Sequence, residues 1–466
     1  MISYAFRAIT GTSPLQKTLR RHFGRVPLGE IATAARDFPV TSRVDLQTAL
    51  EDMFRSHAEA KLLGIFSPNF HESPTLAQVF AGGPFMMDIG PLQHDEIDIG
   101  ERLPVRCLRN GLWLARHDAL PFAVLLAPSV RFGQVGGVHV EVAVPSGESG
   151  LSLSQDVFTD LERRVGSGRT YRGRVISLER MVDPTGRGGA IKVHRLPSVK
   201  RDDVILPART LEVLDRNVGQ FVAARDRIKA LRFSGRKGLL FYGPPGTGKT
   251  YTIHYLASQL PGHTTLLVTS EQVVFISEYF RLARFLEPAL LIVEDVDLIA
   301  RERTHMHGPG EEMLLNKLLN EMDGLREDAD VMVILTTNRP DQLEPALASR
   351  PGRIDQAIEF PLPDEDGRAK LVRLYARKLD VPVALVDTIV RRTQGVSAAF
   401  IKELMRRAAQ FQIESGTDTV LQERSVDRAL EDMVFAGGSL NLKLLGGAAT
   451  TLDADRPSLT RITAHT

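Results

Sequence analysis

Lys249 and Thr250 close the loop Gly243-Pro244-Pro245-Gly246-Thr247-Gly248, which is half glycine and one-third proline. Glycines let successive backbone N–H groups turn toward one anion, and a helix starting just after them adds the positive end of its dipole. Prolines stiffen the loop, so less entropy is lost when the anion arrives. The spacing G-x-x-x-x-G-K-[ST] belongs to phosphate binding: Lys249 reaches the β- and γ-phosphates, and Thr250 places its hydroxyl on Mg²⁺. Tyr251 stands next, on the first helical turn, and is counted among the nucleotide-binding residues. A Gly/Pro surface loop that happens to contain Lys-Thr is the bland alternative. An apolar run before the loop, a helical pattern after it and polar partners downstream argue against that alternative.

Those partners fall at the ends of two apolar runs. Leu290-Leu291-Ile292-Val293 leads into Glu294-Asp295-Val296-Asp297. A Mg²⁺-nucleotide site needs one carboxylate on the metal side and another that orients or deprotonates the attacking water, and this run of acids, Glu294 and Asp295 foremost, can supply both. Thr336-Thr337-Asn338 closes the second run, where Asn338 can hold the water or the γ-phosphate. Further on, Ser349-Arg350-Pro351-Gly352-Arg353-Ile354-Asp355 presents two guanidiniums on a rigid turn. Arginine suits the charge that develops on a transferring phosphoryl group, because it is always cationic and binds bidentately. The alternative for Arg350 and Arg353 is a pair of solvated surface charges.

Such residues must be carried by regular elements. Strand patterns at 238–242, 264–268, 289–293 and 331–336 alternate with helical patterns at 251–260, 270–286 and 311–323. That alternation predicts a parallel sheet covered on both faces, with the ligand at the carboxyl ends of the strands. The predicted fold class is α/β, a P-loop NTPase αβα sandwich over 191–363, followed by a helical lid over 364–435. An α+β domain over 1–190 precedes it, and a Gly/Ala/Ser/Thr-rich flexible tail over 436–466 follows. Within the first domain, 1–75 reads as mostly helical, with Leu46, Leu50, Met53, Phe54 and Leu62 at near-helical spacing in 44–63. The runs 103–109, 120–127, 138–144 and 171–178 read as strands, and 151–165 as a helix.

Composition narrows the function. At 466 residues, 43% hydrophobic and 25% charged, the chain is an ordinary multidomain globular protein. Fifty-eight basic against 57 acidic residues leave a net charge of +1, without the global field that would by itself argue for nucleic acid. Cys107 is the sole cysteine, which excludes an internal disulfide framework and fits a reducing compartment. No apolar run reaches the roughly 18 residues of a membrane span. The first 29 residues are basic and acid-poor, as in a transit peptide or an ordinary surface helix; a cytoplasmic location is expected. The scattered His71, His94, His117 and His139 have no metal-ligand spacing, and Trp113 reads as a packing residue.

Taken together, Gly243 to Thr250, Glu294-Asp295-Val296-Asp297, Thr337-Asn338-Arg339-Pro340, Arg350-Pro351-Gly352-Arg353-Ile354-Asp355 and Gly395-Val396-Ser397-Ala398 resemble the AAA ATPases. The resemblance covers roughly residues 200 to 435. Within it, Val204-Ile205-Leu206 through Arg236-Lys237-Gly238 is similar to the branch holding the mitochondrial chaperone that translocates a Rieske iron-sulphur protein, though without a counterpart of its membrane anchor. The resemblance implies a ring, commonly of six copies, with ATP and Mg²⁺ bound between neighbours. It further implies that Lys249 and Thr250 bind phosphate and metal, and that Asn338 senses the γ-phosphate. Arg350 and Arg353 would then act in trans on a neighbour's ATP, and Asp323 would relay nucleotide state. Gly395 to Ala399, Ala398 among them, would close over the adenine and ribose.

Two departures stand out. The family usually ends its acidic strand in Asp-Glu, whereas Glu294-Asp295 reverses the order and shortens the second carboxylate by one methylene. The substrate-gripping loop of threading members carries an aromatic-apolar-glycine element, and the nearest candidate here is Phe275, in a stretch without glycine. The expected function is ATP hydrolysis coupled to remodelling of a partner protein recognised by the N-terminal domain. An ATP-dependent assembly switch with little turnover is the first alternative, and a DNA-directed motor the second.

Overall fold

The computed structural model describes residues 13–57, 59–67, 72–81, 87–131, 134–168, 170–179, 191–301, 312–341, 343, 353–416 and 419–433. The chain divides into two compact units, Met1–Arg195 and Leu196–Thr466. The expected tail, over 436–466, and Arg350 lie outside the described residues.

The first unit begins with helix α1 (Pro14–Phe23), whose N-terminus is capped by the Ser13 side chain and which buries Leu15, Leu19 and Phe23 on one face. Strand β1 (Ile31–Pro39), helix α2 (Arg43–Arg55), strand β2 (Lys61–Phe66), helix α3 (Leu76–Ala81) and strands β3 (Asp88–Gly90) and β4 (Gln93–Ile97) follow. Three long strands, β5 (Val105–His117), β6 (Leu120–Arg131) and β7 (Gln134–Pro145), then precede α4 (Glu148–Gly166) and the hairpin of β8 (Val175–Leu178) and β9 (Ile191–His194). The main sheet is antiparallel, in the order β1-β7-β6-β5-β2-β3 with β4 also on β5. Alternation along β5 separates two packing faces: Leu112 and Leu114 join the core under α1, while Trp113 stacks on Phe54 of α2 with ring centroids 5.3 Å apart.

The expectation of a mostly helical start is overturned here. Ile-Ala-Thr-Ala-Ala-Arg-Asp-Phe-Pro has alanines suited to a helix, yet all nine residues pair with β7, so cross-strand pairing overrides local propensity. The helix expected over 44–63 stops at Arg55, because Ser56 Oγ and the His57 ring both turn back onto the Met53 carbonyl.

In the second unit α5 (Ala208–Asp215) and α6 (Phe221–Ala230), joined by the π-helical turn Arg216–Gln220, lead to β10 (Lys237–Tyr242) and α7 (Lys249–Gln259). The chain continues as β11 (Thr264–Val268), α8 (Ile276–Phe285), β12 (Ala289–Val293), α9 (Val296–Arg301), α10 (Glu312–Asp323), β13 (Val331–Thr337) and β14 (Gln356–Glu359). These strands are parallel in the order β14-β10-β13-β12-β11. β12 and β13 are buried along their whole length, as a sheet covered on both faces requires. β14 has too few residues to stand out as a strand in the sequence. Helices α11 (Glu365–Ala376), α12 (Val383–Arg392), α13 (Ala398–Glu414) and α14 (Glu423–Glu431) then pack around Leu371, Ile389, Phe400, Leu404 and Val426. Among the described residues no helix is long and apolar enough to cross a membrane.

Candidate functional site

β10 lies between β14 and β13 with its inner four residues buried, and its carboxyl end delivers the glycine loop. Gly243 sits at φ 145°, and a Cβ there would stand 2.2 Å from the Phe360 carbonyl oxygen, so only glycine fits beside the end of β14. Gly246, at φ 74°, faces the start of α13: a Cβ would meet that of Ala399 at 2.8 Å and Ser397 Oγ at 2.9 Å. The Ala399 N–H donates to the Gly246 carbonyl at 3.0 Å, tying the helical lid to the loop. Ser397 caps α13 by accepting from the Phe400 N–H, so Ala398 is fixed on the helical turn that meets the loop.

Lys249 Nζ donates to the carbonyls of Gly243 (2.8 Å) and Pro244 (3.0 Å). Burial pushes its ammonium pKa down to about 8, partly offset by the charges of Asp295 and Asp297. A desolvated cation held by two loop carbonyls is well placed to exchange them for phosphate oxygens, which compensate its charge where carbonyls only solvate it.

The carboxyl ends of β12 and β13 supply the acids. Thr250 Oγ1 donates to Glu294 Oε1 at 2.9 Å. Asp295 lies in the left-handed region at φ 50°, strained for a non-glycine residue, and its N–H is held by Thr336 Oγ1 at 2.9 Å. Asn338 Nδ2 donates to Asp295 Oδ1 at 3.0 Å. The expected partners Lys249, Thr250, Glu294, Asp295 and Asn338 are thereby joined into one constellation. Thr336, Thr337 and Asp297 hold it together, with Asp297 Oδ1 accepting from both Thr337 Oγ1 and the Asn338 N–H. Their signal in the sequence was position alone: polar residues at the carboxyl ends of fully apolar strands.

This donor set fits a magnesium nucleotide. Mg²⁺ takes hard oxygen ligands and is commonly held by one or two carboxylates together with phosphate oxygens and water. A threonine hydroxyl 2.9 Å from a single glutamate oxygen, at the start of a helix, is chemistry of that kind. Tyr251 is 40% exposed, and its phenol is pushed up by burial, with Asp203 adding to the rise and Arg377 opposing it. It stands beside the loop on the same helix, with an open face.

Arg353 is placed differently. Its Nε donates to Asp323 Oδ1 at 2.6 Å and its Nη2 bonds the other carboxylate oxygen, a bidentate ion pair at the end of α10. Nη1 is buried without a hydrogen-bond partner among the described residues. The Arg353 carbonyl packs on Gly238, and the Gly238 N–H donates to Asp355 at 2.7 Å, so the arginine stands at the amino end of β10. The loop begins five residues later at the other end, roughly 16 Å along the strand at about 3.3 Å per residue. Arg353 is thus not brought to the loop of its own chain. Phe275 ends the 3-10 segment Ser270–Phe275 and is half-buried, while Val274 beside it is 49% exposed.

Comparison with known proteins places this geometry. Residues 239–362 match the family described as ATPase family associated with various cellular activities (AAA). The chain is 32% identical over 262 residues to the proteasome-activating nucleotidase of Pyrococcus horikoshii, covering 53% of this chain and 65% of that protein. It is 30% identical over 265 residues to the 26S protease regulatory subunit 6A of Caenorhabditis elegans, covering 54% and 61% of the two. With the proteasome-activating nucleotidase 2 of Halobacterium salinarum it shares 30% identity over 303 residues, covering 61% of this chain and 73% of the relative. The chain therefore spans less than two thirds of the first two relatives. With a glycine loop, paired acids and asparagine arranged as above, and a relative matched over nearly three quarters of its length, the chain belongs to the AAA family.

Proposed function

We propose that the chain hydrolyses ATP with Mg²⁺ and uses the turnover to remodel a partner protein, as one copy in a ring of commonly six. The observation that carries this reading is the linked pair of bonds Thr250–Glu294 and Asn338–Asp295, which puts a metal-side hydroxyl and carboxylate next to a water-side carboxylate and amide. In the loaded site Lys249 gives up its carbonyls for the β- and γ-phosphates. Asp295 orients the attacking water and accepts its proton, while Asn338 holds the γ-phosphate side. Thr250 and Glu294 would hold Mg²⁺, which when bound would supply charge neutralisation to the phosphates. Arg353, remote from its own loop, supports completion of each site by a neighbour's guanidinium, with Arg350 as its companion.

Relatives named for activating a proteasome and for regulating a protease support a polypeptide as the remodelled substrate. Recognition is assigned to the N-terminal unit, and the location to the cytoplasm; neither nucleic acid nor membrane enters the proposal. The finer likeness to the Rieske-translocase branch rests only on the stretch from Val204 to Gly238, and the relatives above lend it nothing.

The second reading, an assembly switch with little turnover, is favoured by one detail. Asp295 is short, strained and already engaged by Asn338, so it reaches a water less readily than a glutamate would. Phosphate release from the full chain tests both: turnover that falls at least about 100-fold in Asp295→Asn while ATP binding persists supports hydrolysis. Turnover unchanged in Asp295→Asn removes Asp295 as the water-positioning carboxylate, and turnover absent from the unmodified chain removes hydrolysis itself.

A further inference from the structure

We infer that Asp297 is the positioning residue for Asn338 and that, through Asn338, it sets how well the site tells a triphosphate from a diphosphate. The inference rests on the nucleotide reading above. Asp297 is 2% exposed and makes no ion pair among the described residues. Lys249 is the cation whose charge it meets, beyond ion-pair distance, and an apolar side chain of similar volume would fill the same space without the cost of burying a carboxylate. What the carboxylate provides is two hydrogen bonds to the end of β13 from a single oxygen: Oδ1 accepts from Thr337 Oγ1 at 2.8 Å and from the Asn338 N–H at 3.0 Å.

Both bonds fix the residue that matters. The second holds the peptide of Asn338 directly. The first orients the Thr337 hydroxyl, whose oxygen in turn accepts the Arg339 N–H at 2.9 Å, so the backbone is held on either side of Asn338. The opposite member of the pair is framed in the same way, since the Asp295 N–H bonds Thr336 Oγ1. Two residues apart in sequence, Asp295 just beyond β12 and Asp297 in the first turn of α9 therefore both reach to the end of β13. One meets the Asn338 side chain, the other its backbone. β13 itself is laddered to both β10 and β12, so loss of these bonds frees only the segment at its end: the Asn338 amide would turn away from the γ-phosphate side of the loop, while Lys249 and Thr250, at the start of α7, would stay in place. Loss of Asp297 should accordingly weaken recognition of the third phosphate and spare the first two.

The test uses the full chain and titrates fluorescent ATP and ADP analogues against Asp297→Ala, Asp297→Asn, Asn338→Ala and the Asp297→Ala/Asn338→Ala double variant. Asp297→Ala should lower the ATP-over-ADP affinity ratio about tenfold, the size expected for losing one well-made bond to a charged group, with ADP affinity unchanged. Asn338→Ala should lower it equally, and the double variant should go no further, because the two residues act as one unit. Asp297→Asn, whose amide oxygen accepts the same two bonds, should keep most of the ratio. Equal weakening of ATP and ADP, or a loss in the double variant that adds to that of Asn338→Ala, overturns the inference in favour of a purely structural acid. Where Asp297→Ala does not fold, Thr337→Val removes the hydroxyl's bonds to Asp297 and to the Arg339 N–H at near-constant volume and leaves the Asp297 bond to the Asn338 N–H. A drop of about threefold then supports the inference and an unchanged ratio overturns it. An unmodified chain that prefers ATP but releases no phosphate sinks the hydrolytic reading and leaves this inference standing. An unmodified chain with no preference sinks the inference itself.

Discussion

The two ends of β10 hold charged residues in opposite ways. At the carboxyl end, Lys249 is propped on two loop carbonyls and Asp295 sits on a strained backbone, both arrangements open to exchange with a ligand. At the amino end, Arg353 is clamped bidentately by Asp323 and packed against Gly238, with a third nitrogen buried. One end is built to receive, the other to hold a cation ready where its own chain offers no phosphate. On the function proposed above, a single chain would carry two halves of a reaction centre that it does not close on itself, and the contrast teaches that the unit of function would then be a pair of copies.

The sharpest break of that contrast comes from mixing defective chains. Lys249→Ala and Arg353→Ala should each lower phosphate release by about 1,000-fold or more when assayed alone, the scale associated with losing a phosphate-binding lysine or a trans arginine. Mixed in equal amounts, they should regain a measurable fraction of turnover, because a neighbour carrying Arg353 can serve a loop carrying Lys249. Absence of any recovery in the mixture would place both residues in one chain's site and erase the distinction between the ends.

A smaller effect follows from pH and touches the receiving end only. With the Lys249 pKa lowered to about 8 by burial, the folded protein holds this proton less tightly than the unfolded chain does. Stability of the nucleotide-free chain should therefore rise as pH climbs from about 8 toward the ordinary lysine value. ATP affinity should fall over the same window, since the neutral amine no longer attracts phosphate. Melting temperature and nucleotide titrations at pH 7, 8, 9 and 10, compared with Lys249→Met, check the pair of opposite trends; two trends of the same sign would refute the assignment. Smallest of all, Asp323→Ala should cost no more than about 1 kcal/mol in chemical unfolding, because the carboxylate is half-exposed. A much larger loss would make the clamp on Arg353 a pillar of the fold instead of a holder.

What could be read from the sequence divides along the same lines. The glycine loop, Glu294-Asp295 and Asn338 were legible because binding a phosphorylated ligand dictates residue types at fixed spacing on strands of uninterrupted apolar character. Asp297 was in plain view, yet its task depends on β13 arriving beside β12, which no local pattern states. In the first unit the long strands β5, β6 and β7 announced themselves through Val, Leu and aromatic residues. β1 did not, because its alanines carry no strand signature and only pairing with β7 makes it one.

Gly246 joins the nucleotide loop to α13 through direct backbone contact with Ala399. That helix is 17 residues long, a rod of roughly 26 Å at about 1.5 Å per residue. A tilt of about 5° at its pivot on Gly246 would carry the far tip by about 2 Å, with the helices packed around it swinging as one body. On the proposed function, chemistry at a few oxygen atoms would thereby be geared up into displacement of the whole helical lid.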